Sequence, residues 1–322
     1  MFESLRVGIS ALLCLVFAVP LAIIAKNREL REEPMVILVL NMTASALLFS
    51  STFVVVSVGD ILTSNDIPPL LCCLFVSVGT SSLGAFKLSA LFLAVEQFVA
   101  VNFSLRHFAI MSRWAKRLIC LTVIFWVVST LFGIICYLLG LETIEEFDQR
   151  MFSIHNHHEQ CKWERSANIF MFYSENCMLV CCLGTCALLI HTAVQGMKHQ
   201  NRISQENGGN TSLLFMVRYK SFKRIVKVLL TIVVIDLVGT GFRVASRWFV
   251  QSPVFTIVHY LRILFLIIEC WTYGLSHLTI RNAMKSFFGF RQSRVVPDET
   301  EDQQPAPESQ HDDQREMDEE SH

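Results

Sequence analysis

Charged residues are scarce in this chain: they make up 17% of its 322 residues, whereas hydrophobic residues make up 52%. The hydrophobic residues gather in long runs, which excludes an ordinary soluble domain. A hydrocarbon core about 30 Å thick needs roughly 20 apolar residues per spanning helix, and lipid requires every backbone polar group to be bonded internally. The runs therefore predict membrane-spanning helices over 7–25, 35–58, 70–101, 116–139, 168–194, 224–246 and 254–276.

Lysine and arginine are absent from the connecting loop at 59–69, whereas they cluster in the loops at 26–33, 102–117 and 195–224. The positive-inside rule places such clusters in the cytoplasm, so the N-terminus is predicted outside and the C-terminus inside. The first run lacks a clear small-residue cleavage site and is predicted to be a signal-anchor helix. The expected localisation is that of an integral multi-pass protein of the plasma membrane.

Apolar residues become almost absent from Val296 onward, where Asp, Glu, Gln and Pro prevail. Such a segment cannot bury a core, so residues 292–322 are predicted to be a disordered acidic cytoplasmic tail. Residues 277–291 space their apolar side chains like an amphipathic helix on the inner membrane face, with Arg281 and Lys285 towards the headgroups. The predicted fold class is an all-α membrane protein: a seven-transmembrane helix bundle over residues 1–291, with this short eighth helix and the tail.

Cysteines in the connecting loops are few, although the chain has eleven in all. Most of them lie within predicted helices, among them Cys182 and Cys270, and are expected to be small packing residues. Cys161 lies in an outer loop, and Cys72 and Cys73 lie at the outer end of the third helix. A disulfide from Cys161 to Cys72 or to Cys73 is therefore predicted on the oxidising side of the membrane.

Several short strings follow one another in an order and spacing that characterise a known family. They are, in chain order, Asn41–Leu47, Ala94–His107, Trp126 and Glu269–Tyr273. Together with the seven predicted helices they resemble a divergent rhodopsin-like (class A) G-protein-coupled receptor over most of residues 7–291. Two further strings, which begin at Glu33 and Leu105, resemble odorant receptors of the fish type.

The resemblance implies a receptor that turns binding of a small extracellular molecule into a cytoplasmic signal, with an olfactory, chemosensory or orphan role. The expected partners are the ligand, a heterotrimeric G protein, an arrestin, membrane lipid and a second receptor in a dimer. Neither a cofactor, a metal nor nucleic acid is expected. Counting back from Gln97 puts Cys72 at the disulfide position of the family, opposite Cys161.

The family's inner third-helix triplet is Glu96-Gln97-Phe98 here, with glutamine where an arginine is usual. In the family this arginine stabilises the inactive state and later contacts the G protein. Its absence therefore either raises basal activity, because this arginine lock is gone, or weakens coupling, because the G-protein contact is gone. A third interpretation is that Gln97 is simply a tolerated polar residue. Tyr273 retains the tyrosine of the family's seventh-helix motif.

Two buried charges are predicted at the connector between the ligand pocket and the G-protein face, which is apolar in most of the family. Lys87 lies midway along the third helix and Asp236 midway along the sixth. Intramembrane charges are costly and face the bundle interior, so an ion pair between them is predicted as a switch. Alternatively, Asp236 binds a hydroxyl of Thr231 or Thr240 while Lys87 snorkels.

The family's sodium site is not expected in this chain. Ala46 replaces the second-helix carboxylate, and Phe86 stands where a small polar residue is usual. Glu269 alone is a poor cage for a cation, and it is expected to be protonated or paired within the bundle.

The resemblance also places candidate ligand-binding residues. Gly79 stands where amine receptors carry an aspartate, which argues against a biogenic amine. Arg243 and Arg262 map to pocket-facing positions, and two guanidinium forks suit a carboxylate or phosphate. Alternatively, Arg243 snorkels to lipid headgroups, or Glu175 neutralises one of the arginines.

Other functions are weighed against signalling by what the chain lacks. Helices four to seven have no proline and Thr240 replaces the usual sixth-helix tryptophan, which argues against ordinary signalling. The residues Gln97, Ala46, Thr240 and Glu269 together favour a non-signalling scaffold or heterodimer partner. A transporter with Lys87 and Asp236 as a relay would be expected to show an internal repeat or broken helices, and neither appears. No nucleophile–base set or metalloprotease motif occurs, so an enzyme is not expected.

Overall fold

The computed structural model of the chain describes residues 2–62, 67–103, 106–139, 169–206, 227, 230–231, 233–241, 253–276 and 278–287. All the regular secondary structure in these ranges is helical, which confirms the predicted all-α fold class. The helices are α1 (Phe2–Lys26), α2 (Pro34–Leu62), α3 (Pro69–Asn102), α4 (His107–Leu138), α5 (Ile169–Glu206), α6 (described over 233–241), α7 (Pro253–Ser276) and α8 (Leu278–Phe287). A short 3₁₀ turn at Glu29–Glu32 links α1 to α2. The predicted acidic tail lies outside the described residues.

Five helices in the described part of the chain, α1 to α5, are long and apolar enough to cross a membrane by length and composition. They differ in how much of each helix the bundle buries. Of the apolar stretch of α3, 61% is buried inside the bundle, the largest share among the five, whereas the share for α4 is 22%, the smallest. The outward face of α4 carries bare apolar side chains such as Val128 and Leu131. In a membrane this face meets lipid, while α3 forms the centre of the bundle.

Polar contacts along α3 fix the direction of its neighbours. Trp126 Nε1 donates to Ser82 Oγ at 3.0 Å, and Ser81 Oγ donates to Ser129 Oγ at 3.0 Å. Because later residues of α4 meet earlier residues of α3, the two helices are antiparallel.

α5, in contrast, runs parallel to α3. Thr80 Oγ1, in the first half of α3, donates to Met171 Sδ, near the start of α5, at 3.3 Å. The rings of Phe98 and His191 lie 5.4 Å apart near the end of α3. The end of the bundle where α3 begins is called the upper end below, and the end with Phe98 the lower end.

Among the described glycines, Gly133 marks a close approach of α4 to both α3 and α5. A Cβ at this position would lie 2.5 Å from Ser77 Oγ and 3.1 Å from Phe170 Cε1. We expect Gly133→Val to lower the free energy of unfolding by about 1–3 kcal/mol, because the helices must separate to admit the side chain. Thermal unfolding of the purified protein measures this, with Gly8→Val as control, since Gly8 has no neighbour within 4 Å. Equal losses in the two variants would contradict close packing at Gly133.

The short helix α8 lies against the bundle through one face. Ile280 and Met284, four residues apart, are buried, whereas Arg281 and Lys285 are exposed. Since residues four apart lie on the same face of a helix, α8 is amphipathic. It packs beside α1 and α7, near the lower end.

Candidate functional site

Four charged side chains meet inside the helix bundle, between its upper and lower ends. Lys87 Nζ of α3 lies 2.7 Å from Asp236 Oδ2 of α6 and 2.8 Å from Glu269 Oε2 of α7. Arg262 of α7 approaches the other oxygen of Asp236, with Nε 3.9 Å from Oδ1. These residues, Lys87, Asp236, Arg262 and Glu269, are called the charge cluster below. It joins three helices through a single ammonium group.

Helical spacing brings these side chains inward. On α6, Val233, Asp236 and Thr240 are all buried and lie three or four residues apart, so they share one face. On α7, Arg262 and Glu269 lie seven residues apart, two turns along the same buried stripe. A charge on the inward stripe of a membrane helix must find its partner on another helix.

The cluster is neutral when all four groups are ionised. The side chains of Lys87, Asp236 and Glu269 are 3% exposed or less, so water screens their charges little. Lys87 also lies over the ring of Phe86, with Nζ 5.0 Å from its centroid, a geometry suited to a cation–π interaction. Separating any one charge from the cluster would leave an unpaired charge in a dry environment.

The ion pair that the sequence predicted between Lys87 and Asp236 is present. The alternative hydroxyl partners of Asp236 do not contact it: Thr231 Oγ1 donates to the carbonyl of Lys227, and Thr240 Oγ1 has no partner among the described residues. Glu269, expected to be protonated or paired, is bonded to Lys87. Sequence reasoning did not place it with Asp236, because a periodic pattern does not reveal which inward charges meet.

A fourth helix, α5, contacts the charge cluster through Cys182. Its Sγ donates to Asp236 Oδ2 at 3.0 Å. Cys182 and Cys270 are free and buried, as expected of small packing residues. Cys270 also makes a polar contact, since its Sγ lies 3.5 Å from Thr43 Oγ1. No sequence signal marked these contacts, because a cysteine within an apolar run resembles any small apolar residue.

A small cavity adjoins the cluster. Its volume is ≈ 20 Å³, which is room for about one water molecule. Lys87, Asp236, Glu175 and Arg262 supply the charged part of its wall, and the remaining lining is mostly apolar. A larger guest requires the walls to move apart.

The predicted ligand-binding residues divide into three groups. Arg262 and Glu175 both line the cavity. Gly79 is buried in α3 but is not part of the described lining. Arg243 lies outside the described residues.

Gly239 sets the position of Arg262. A Cβ on Gly239 would lie 2.7 Å from Arg262 Cγ and 3.0 Å from Cδ, so only glycine admits the arginine stem in this position. The stem thus lies against α6 and directs the guanidinium towards Asp236. Sequence reasoning had no sign of this role, because glycine is common in membrane helices.

The Glu96–Phe98 triplet lies at the lower end of α3. Glu96 Oε1 lies 2.7 Å from Nε2 of His107 at the start of α4, and the side chains are 5% and 27% exposed. Gln97 is buried, and its Oε1 has no hydrogen-bond partner in the described part of the chain. The acid of the triplet therefore contacts the next helix, which sequence reasoning missed because it considered only the missing arginine.

The remaining predicted residues are only partly described. Cys72 is buried near the start of α3 and is disulfide-bonded, while Cys161 lies outside the described residues. Tyr273 belongs to α7, but its side chain lies outside the description.

The sequence was also compared with known proteins. The family model described as 7 transmembrane receptor (rhodopsin family) matches residues 18–240, more than half of the chain. The match includes Lys87, the Glu96–Phe98 triplet and Asp236. No curated protein matches the chain.

Proposed function

Since the chain belongs to the rhodopsin family of 7-transmembrane receptors, we propose that it converts the binding of a small ligand into a G-protein signal. The family is one of receptors and not of enzymes, and the chain is an integral membrane protein. We propose a chemosensory, odorant-like or orphan receptor of the plasma membrane. Its ligand is proposed to carry an anionic group.

The upper end is proposed to face outside and the lower end the cytoplasm. The basic residues in the loops at 26–33, 102–117 and 195–224 support this orientation through the positive-inside rule. Cys161 is proposed as the disulfide partner of Cys72, which lies at the oxidising upper end. This bond would tie the loop after α4 to α3 beside the ligand.

The charge cluster is the observation that carries the proposal. It adjoins the cavity on one side and connects α3 to α6 and α7, the helices whose relative position would change. A buried ion network has few stable arrangements, because an intermediate separation leaves charges unpaired. A ligand that favours one arrangement of the network increases the population of that arrangement, and the upper and lower ends of the bundle then change together.

The lower end supplies the proposed partner surface. The basic loops, the Glu96–Phe98 triplet and α8 are together proposed to form the surface that binds a G protein or an arrestin. Phosphorylation of Thr300, Ser309 or Ser321 in the acidic tail would favour arrestin. Lipid would cover the apolar face of α4.

Replacing Gln97 by arginine tests whether the chain couples to a G protein. We expect the wild type to activate G protein on exposure to a library of small acids and odorants. We expect Gln97→Arg to respond several-fold more strongly, because a guanidinium restores a charged contact at the lower end. The measurement is nucleotide exchange on the G protein, at matched surface expression. Gln195→Arg, the same change on the neighbouring helix α5, is the comparison and should raise the response less than Gln97→Arg, because it adds a guanidinium outside the Glu96–Phe98 triplet.

A non-signalling scaffold or heterodimer partner is the second candidate function. It is favoured by Gln97, whose buried Oε1 lacks a partner within the described residues, where the family has a charged side chain. A response from Gln97→Arg alone would mean that the native chain does not couple. Silence from both forms, with surface expression verified, would also favour the scaffold.

A further inference from the structure

We infer that the cavity beside the charge cluster binds a small zwitterion, such as a free amino acid, whose carboxylate takes Arg262 away from Asp236. The inference rests on the proposed function in that the zwitterion is the receptor's ligand. It specifies both the chemical class of that ligand and the step that connects it to the switch.

Arg262 is a buried cation with an incomplete set of partners. Its side chain is 9% exposed, and its closest described acid is 3.9 Å away, which is beyond hydrogen-bond distance. Asp236 in turn is already bonded by Lys87 at 2.7 Å and by Cys182 at 3.0 Å. The guanidinium therefore makes no hydrogen bond to the described residues, although it has five donors in a planar fork. A carboxylate is the group whose geometry matches that fork.

The charges on the cavity wall determine which carboxylate ligand is favoured. The described wall carries two basic side chains, Lys87 and Arg262, and two acidic ones, Asp236 and Glu175. The charge cluster is already neutral, so a simple anion would add an uncompensated negative charge beside Asp236 and Glu269 in a medium that screens charge poorly. A zwitterion leaves the total unchanged and can direct its ammonium group towards the acidic side of the wall.

The size of the cavity limits the ligand to the smallest zwitterions. A volume of ≈ 20 Å³ must increase to admit even glycine. Met171 and Met178 line the cavity, and their flexible side chains can repack to enlarge it.

Movement of Arg262 would pass to the rest of the cluster through Asp236. Without the guanidinium nearby, Asp236 depends more strongly on the ammonium of Lys87. Lys87 then interacts more with Asp236 and less with Glu269, so the contact between α3 and α7 weakens. Ligand binding at the cavity thus changes how three helices are held together.

Thermal unfolding of the purified full-length protein in lipid nanodiscs tests the inference. The probes are glycine, sodium acetate and methylammonium chloride, at matched ionic strength and pH. We expect saturating glycine to raise the Tm by about 2–4 °C or more, acetate to raise it less, and methylammonium to leave it unchanged. Arg262→Gln and Gly239→Ala should abolish the glycine shift, the second by displacing the arginine stem. Arg262→Lys should retain part of it, and Arg281→Gln on α8, the matched control, should retain all of it.

Each alternative result has a distinct meaning. An acetate shift equal to or above that of glycine would overturn the zwitterion class. A glycine shift that persists in Arg262→Gln would overturn the site, and no shift with any probe would overturn binding. Because unfolding is measured without a G protein, a glycine shift without G-protein activation would support the inference and contradict the proposed signalling.

Discussion

Replacing Lys87 by methionine is expected to lower the free energy of unfolding by about 3–5 kcal/mol, the range for breaking a buried ion pair. The ammonium of Lys87 is within 2.8 Å of both Asp236 and Glu269, so its loss leaves two carboxylates together in the bundle interior. Methionine preserves most of the side-chain length and therefore isolates the loss of charge. Thermal unfolding of the purified protein, together with the fraction that reaches the cell surface, measures the effect.

The matched control is Lys116→Met, which removes an exposed lysine of α4 and should change stability by less than about 0.5 kcal/mol. A second comparison restores neutrality: adding Glu269→Gln to Lys87→Met leaves Asp236 opposite Arg262, one charge of each sign, and should recover most of the loss. Recovery follows because the penalty comes from unpaired charges and not from the missing lysine itself. If Lys87→Met were as stable as the control, the cluster would not hold the helices together.

The presence of Glu269 changes how the ion pair must be tested. The double exchange Lys87→Asp with Asp236→Lys would restore a simple pair. In this cluster it also brings a new carboxylate close to Glu269, which would repel it. Failure of that exchange to restore stability is therefore expected, and it is informative only when Glu269→Gln is included.

The all-helical bundle was predictable because its cause is local. A run of apolar residues long enough to span lipid must satisfy its own backbone, and a helix does this within the segment. The pairing of Lys87 with Asp236 was predictable for a related reason: a charge midway along a spanning helix needs a partner of opposite sign. Both predictions rest on solvation, which composition and position in the chain reveal.

The rest of the site depends on how the helices are rotated and packed. The meeting of Glu269 with Lys87, the approach of Arg262 to Asp236 and the donation from Cys182 each join different helices. Periodicity says that a residue faces inward but not which inward residue it meets. Gly239 illustrates the limit, because its importance comes from the absence of a side chain beside Arg262.

The position of the cluster links the two ends of the molecule. The cavity lies on its upper side, and the Glu96–Phe98 triplet lies two to three turns further along α3 from Lys87. Since α3 passes through both regions, a change at Lys87 can reach the lower end without a separate path. This arrangement gives a polar connection at the connector that, by the family resemblance, is apolar in most members.

At the lower end, Glu96→Gln is expected to raise ligand-free G-protein activation several-fold. The Glu96 carboxylate lies 2.7 Å from His107 and is almost fully buried, so it holds the end of α3 to the start of α4. We propose that this contact maintains the resting arrangement in place of an arginine lock. His107→Ala should have the same effect, and the double variant should add little to either single change, because both remove one interaction.

His191→Ala serves as the control, since His191 also contacts the triplet, through the ring of Phe98, without touching the Glu96 pair in the described structure. Nucleotide exchange without ligand, at matched surface expression, gives the activity, and thermal unfolding of the same samples gives the stability. A loss of stability without a change in activity would make the contact structural only. Additive increases in the double variant would show that Glu96 and His107 act through different partners, and the lock would then have to be sought elsewhere at the lower end.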